Sequence, residues 1–206
     1  MDNYQVGYLI GSLAKGSINR KLAKALIRVA PQGLEFTEIP IRDLPLYSYD
    51  YDADYPEVAR RFKASIERAD GILFVTPEYN RAVPGALKNA IDWASRPHGS
   101  NAFTRKPAAV IGCSIGRIGT AVAQRELHSI LGYCNAIQMT APETYIHFTA
   151  GFADDDGNVG DDKSRAILGK FMHSFRVFLD EVAECREQAR RQQSSAPGSR
   201  RSTATM

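Results

Sequence analysis

The stretch GILFVT at residues 71–76 is a run of apolar side chains entered through glycine and left through threonine. A strand with one wet face alternates apolar and polar residues; an unbroken run is hidden on both faces, as in a parallel sheet. Two more runs share that character, VGYLIGS at 6–12 and KPAAVIGCS at 106–114, and LEFTEIP at 34–40 alternates as a strand would. Between them lie helical periods. Ser17 is placed as an N-cap, after which Leu22, Ala23, Leu26 and Ile27 recur at helical spacing up to Pro31. Further helices are expected from about Pro56 to Arg68, from Pro84 through Ala94, from about Ala121 to Leu131, and from about Asp162 to Arg186. A weaker strand is expected around AIQMT (136–140), and residues 42–56, rich in proline, tyrosine and acids, read as an ordered loop. Strands separated by helices give an α/β fold whose parallel sheet is covered on both faces.

In such sheets ligands bind beyond the carboxyl ends of the strands. The loops 11–19, 76–85 and 113–120 all follow strands, so they are expected to face one crevice. In the first, Gly11 and Gly16 have the spacing of the phosphate loop of nucleoside triphosphatases, but Ser17 stands where that loop has lysine. The glycines allow a tight turn, while Ser12, Ser17, Asn19 and the start of a helix supply donors. That set suits one terminal phosphate rather than a triphosphate. The second loop, TPEYNRAVPG, gives a stiff backbone suited to a flat heterocycle, with Tyr79 and Asn80 beside it. The third contains Gly112-Cys113-Ser114-Ile115-Gly116, a literal G-x-S-x-G. One reading makes Ser114 a hydrolase nucleophile, with an acid from 154–162 and His173 as base. Against it, no HGGG-type oxyanion loop is present and His173 falls inside a helix. The other reading lets Ser114, Gly116 and Gly119 approach a ring system closely.

Composition narrows the partners. The net charge of +3 resides in residues 187–206, which hold four arginines and one glutamate; the body is balanced. No basic stripe for nucleic acid is expected, and that apolar-poor tail is expected to be disordered, following one domain over 1–186. Cys113, Cys134 and Cys185 form no C-x-x-C, which fits a reducing cytoplasm, and the four histidines lack metal-ligand spacing. Neither a signal peptide nor a membrane span is expected. Cys113 is read as a small buried hydrophobe.

With LIGSLAKGSINRKLA, DLPLY, ADGILFVTPEYNRAVPGALKNAIDWASR and KPAAVIGCSIGRIGTAVAQRELHSIL assembled, the chain resembles the NADPH-dependent FMN reductase family in its chromate and quinone reductase branch, over residues 5–180 or so. The resemblance implies a flavodoxin-like three-layer α/β/α sandwich with five parallel strands, non-covalent FMN, and a homodimer or homotetramer with the flavin near a subunit interface. It implies that Ser12, Ser17, Asn19 and Arg20 hold the FMN phosphate, that Pro77, Glu78, Tyr79 and Asn80 line the ring, and that Ser114 and Gly116 approach it from the neighbouring loop. Flavin chemistry then needs no catalytic side chain: NADPH or NADH donates hydride, leaves, and is replaced in the same slot by a quinone, chromate, an azo dye or a nitro compound. Three positions depart from the family pattern: Arg81 after PEYN, Thr120 in place of a common glycine, and Val122 where arginine is frequent. Arg81 is a candidate contact for the extra phosphate of NADPH or for an anionic oxidant. A non-enzymatic flavin electron carrier is the remaining rival, and the neutral body argues against it.

Overall fold

The computed structural model describes residues 3–195. Its elements are β1 (Tyr4–Ile10), α1 (Ile18–Val29), β2 (Leu34–Glu38), α2 (Glu57–Arg68), β3 (Gly71–Val75), α3 (Gly85–Ser95), β4 (Pro107–Ser114), α4 (Ala121–Tyr133), β5 (Ile137–Gln138), β6 (Tyr145–His147) and α5 (Asp162–Ser195). The strands are parallel in the order 2-1-3-4-5, the flavodoxin-like arrangement whose chain reverses direction of travel at β1 and β3.

The apolar runs are buried on both faces, as expected of central parallel strands. Along β3, Ile72 and Phe74 enter one core with Leu9, Leu87, Trp93 and Leu127, under α2, α3 and α4. Leu73 and Val75 enter the other with Leu22, Leu26, Phe171 and Phe175, under α1 and α5. The loop 42–56 contains a 3₁₀ turn at Tyr49–Asp52 and is fastened to α3. Trp93 Nε1 donates to the Pro45 carbonyl at 2.7 Å, and the Tyr47, Tyr51 and Tyr55 rings surround the indole at centroid distances of 5.2, 5.5 and 5.0 Å.

Two expectations need correction. The fifth strand position is filled by two short segments: β5 pairs with Pro107 and Ala108 of β4, and β6 with Gly112, Cys113 and Ser114. Three residues, Tyr145 to His147, are too few to display a period, so β6 left no mark in the sequence pattern. Helix α5 also continues past Arg186 to Ser195, through the first nine residues of the expected disordered tail. That segment, EQARRQQSS, is rich in strong helix formers, so backbone preference carries the helix on where apolar content is low. The rest of the expected disordered tail, 196–206, lies outside the described residues. No described helix is long and apolar enough to cross a membrane.

Candidate active site

The three loops leave the sheet side by side. Gly11 N–H donates to the Val75 carbonyl and Thr76 N–H to the Ile111 carbonyl, both at 2.9 Å, so the β1, β3 and β4 exits are locked in register. Close packing there depends on glycine. A Cβ at Gly112 would lie 2.0 Å from the Thr76 carbonyl oxygen and 2.4 Å from Thr120 Oγ1. One at Gly11 would press on Leu87, Pro77 and Thr76 at 3.1 to 3.3 Å. Neither Gly11 nor Gly16 uses a left-handed backbone; Gly11 serves close packing, and a Cβ at Gly16 would point into open space.

At the first loop, Ser17 is the N-cap of α1, and its Oγ accepts from Arg20 N–H at 3.3 Å. Ser12 and Ser17 are both nearly buried, at 5% and 6% exposure. The N–H groups of Ile18 and Asn19, first in α1, have no acceptor among the described residues, and the first turn holds no acidic side chain. The donor set of two hydroxyls and free helix amides, without a carboxylate and with room beside Gly16, fits a phosphate monoester.

The neighbouring residues have other duties. The Asn19 side chain is 1% exposed and clasps the Cys113 backbone in both directions, donating to its carbonyl at 2.9 Å and accepting from its N–H at 3.0 Å. Its amide thus joins α1 to β4 and only its backbone N–H is free for an anion. Arg20 gives both terminal nitrogens to Glu38, at 2.7 and 2.8 Å, and so points to the end of β2 rather than into the loop. Burial, followed by the Glu38 charge, raises the pKa of the adjacent Tyr8.

The second loop is built around a tight reversal. Tyr79 and Ala82 exchange two backbone hydrogen bonds of 3.1 and 3.0 Å, and Asn80 and Arg81 between them have φ of 52° and 64°. Two successive left-handed residues define a type I′ hairpin turn, filled here without glycine. The turn thrusts Tyr79 outward, half exposed, with its hydroxyl 3.4 Å from Ser12 Oγ in a long contact between the first two loops. Thr76, which sequence reading passed over, is fully buried and donates its hydroxyl to the Pro77 carbonyl at 2.8 Å.

Glu78 is placed differently from expectation. Its side chain is 6% exposed; one oxygen accepts from Val122 and Ala123 N–H at 3.0 and 3.1 Å, and the other from Arg81 at 2.9 Å. It caps α4 instead of presenting its carboxylate to the crevice. In the third loop, the Ser114 hydroxyl donates to the Gly119 carbonyl at 2.7 Å and accepts from Gly116 N–H at 3.1 Å. Among the described residues no histidine or acid bonds it, so the hydrolase arrangement is not assembled there. A Cβ at Gly119, which has φ +63°, would lie 3.0 Å from the backbone of residues 145 and 146, whereas one at Gly116 would meet only Ser114 Oγ, at an ordinary contact distance of 3.4 Å. Burial pushes the Cys113 thiol far above its ordinary pKa, as suits a small core residue. Arg42, also missed, reaches from the 42–56 loop to the Leu13 carbonyl. Nothing local marks the Arg42 contact, whose partner is 29 residues away, whereas Thr76 bonds the residue next to it.

The family described as NADPH-dependent FMN reductase matches residues 4–151. The chain belongs to the NADPH-dependent FMN reductase family. Among family relatives, the chain is 46% identical over 175 residues to a 2-hydroxy-1,4-benzoquinone reductase of a Burkholderia species, covering 85% of this chain and 96% of that one. It is 45% identical over 177 residues to a quinone reductase of Pseudomonas putida, covering 85% and 95%. Among solved structures, FerB, a flavoenzyme NAD(P)H:(acceptor) oxidoreductase of Paracoccus denitrificans, is 45% identical with a TM-score of 0.83, covering 86% and 98%. Family membership makes FMN the cofactor and NAD(P)H the electron donor of this chain, and makes it an oxidoreductase.

Proposed function

We propose that this family member carries two electrons from NAD(P)H to quinones, with FMN held across the three loops. The observation that carries the reading is the α1 turn: two nearly buried hydroxyls and unpaired amides beside the open space at Gly16, with serine at the position where a triphosphate loop has lysine and no acid in the first turn to repel an anion. Bound FMN supplies the redox chemistry, taking a hydride from NAD(P)H and returning two electrons to a quinone.

The protein's part is placement. Ser12 and Ser17 hold the phosphate with the first amides of α1. Pro77, Tyr79 and Asn80 form one wall for the ring, stiffened by the I′ turn, and the backbone at Gly116 lines the other. Asn19, Arg20 and Glu78 act behind these groups, fixing α1 to β4, α1 to β2 and the second loop to α4, while Ser114 closes the third loop on itself. Prealigned walls shorten the approach of donor and acceptor and hold back water, which is where a flavin protein without acid–base residues gains its rate. Arg81, 64% exposed at the rim, has one nitrogen on Glu78 and others free for the extra phosphate of NADPH or an anionic acceptor such as chromate. Tyr79, Ile115, Ile118, Val122 and Tyr145 are exposed apolar side chains on the loops and elements around the crevice, and a second copy in a homodimer or homotetramer would cover them.

The test is an absorption spectrum of the purified protein followed by anaerobic addition of NADPH or NADH. A yellow band that bleaches and returns with benzoquinone is expected, and Arg81→Ala should narrow any preference for NADPH. Protein that stays colourless in excess FMN refutes the reading.

A further inference from the structure

The I′ turn at Asn80 and Arg81 places two non-glycine residues in the left-handed region, a conformation that costs free energy for residues with a Cβ. Such a conformation persists only where its surroundings over-determine it. Two carboxylates do so. Glu78, just before the turn, bonds the second and third N–H groups of α4 and also holds Arg81. Glu126, one turn further along α4, reaches back and accepts from Val83 N–H at 2.6 Å. Thr120, the N-cap residue of α4, gives its own helix no side-chain cap; its Oγ1 accepts from the Gln124 amide instead. The positive end of α4 is therefore capped by a residue of the second loop, 44 positions away, and the second loop is capped by a residue of α4.

We infer that Glu78 and Glu126 form a reciprocal clasp that sets the spacing between the two loops flanking the flavin ring, Glu78 being a positioning residue that does not touch the ring. The inference rests on the FMN reading above. Both Glu78 oxygens are occupied by protein donors and the side chain is nearly buried, so its influence passes through the α4 end and the turn. The α4 end closes the third loop, and the turn carries Tyr79. Among the described residues, the backbone bond that would still tie the second loop to β4 without the clasp is Thr76 N–H to the Ile111 carbonyl.

The test compares Glu78→Ala, Glu78→Gln and Glu126→Ala with the unaltered holoprotein, measuring FMN and riboflavin affinity by quenching of flavin fluorescence. Amide exchange is followed in the flavin-free proteins. Glu78→Ala should weaken both flavins by the same factor, roughly tenfold or more, because the phosphate anchor on α1 is untouched. The amide oxygen of Glu78→Gln still accepts from α4, so its affinities should stay within about threefold of the parent. Val122 and Ala123 amides should exchange faster in Glu78→Ala, and the Val83 amide in Glu126→Ala. If Glu78→Ala fails to fold, Glu126→Ala carries the comparison, since it leaves the α4 cap intact. Unchanged flavin affinity in Glu78→Ala, or in Glu126→Ala where that variant stands in for it, overturns the clasp. Equal loss in Glu78→Gln and Glu78→Ala overturns it too. Failure of the unaltered protein to bind either flavin overturns the FMN reading instead.

Discussion

Ser17 caps α1 and, in the proposed site, also holds the flavin phosphate; two substitutions separate these duties. Its Oγ accepts from Arg20 N–H at 3.3 Å, a long bond that puts its capping value at the low end, about 0.5–1 kcal/mol. For a domain of this size such a loss lowers the melting temperature by roughly 1–4 °C. The hydroxyl hydrogen remains free to donate to an anion. A hydrogen bond to a charged group contributes about 1.5–3 kcal/mol, or roughly 10- to 150-fold in affinity. Ser17→Ala should therefore show both losses. Ser17→Gly should regain most of the cap, since glycine is tolerated at that position at a cost of a few tenths of a kcal/mol. It should nevertheless bind FMN as weakly as the alanine variant does. Riboflavin, which lacks the phosphate, should bind all three proteins alike. Thermal melts and titrations with both flavins at one salt concentration give the comparison. If Ser17→Gly binds FMN as well as the parent, or riboflavin loses as much as FMN, then Ser17 caps the helix and does not hold the phosphate.

Two other perturbations test the framework. Gly112→Ala puts a methyl group 2.0 Å from the Thr76 carbonyl, which must retreat by more than 1 Å; a destabilisation of about 1–3 kcal/mol and weaker FMN binding are expected, and parental values in both would show the β3–β4 exits to be slack. Lys63, 8% exposed, donates to the Arg96 and Ser100 carbonyls and to Ser100 Oγ. Burial lowers its pKa below 10.5, with Glu67 and Asp52 opposing, so the folded state holds the proton less tightly than the unfolded state does. The resulting penalty is full below the folded pKa and is relieved as pH rises through it toward 10.5. Stability of the parent relative to Lys63→Met, from urea titrations, should thus improve in that alkaline window; a flat difference refutes the assignment.

The sheet was readable because each central strand is a short apolar run that ends in glycine, serine or threonine, and a run of that kind has few other uses. The convergence of the three loops followed from the sheet. What each polar residue does on those loops was not readable. Asn19 and Ser17 are both amide or hydroxyl donors at a helix start, yet one is spent on Cys113, 94 residues away, and the other keeps a hydrogen to give. Arg20 and Glu78 carry charges suited to a ligand, and both are engaged by the protein, the first by Glu38 and the second by the α4 amides. Local spacing shows which groups stand near a crevice; only the long-range partner shows whether their hydrogen-bonding capacity is already used. The end of α5 illustrates the opposite error, where few apolar residues suggested disorder and helix-forming side chains sustained the helix.

That division between free and engaged groups has a chemical consequence. Flavin mononucleotide has one anionic end and a large ring that changes charge during turnover. An arginine or glutamate left unpaired beside the ring would favour one redox state by its full charge. Here the charged residues of the second loop neutralise each other or the α4 dipole, while the free donors gather at the phosphate. In the proposed site the donors thus serve the end that does not react, and the reacting end would meet backbone and an aromatic face. A broad range of flat acceptors is what such a cleft should admit, because nothing inside it besides shape selects among them.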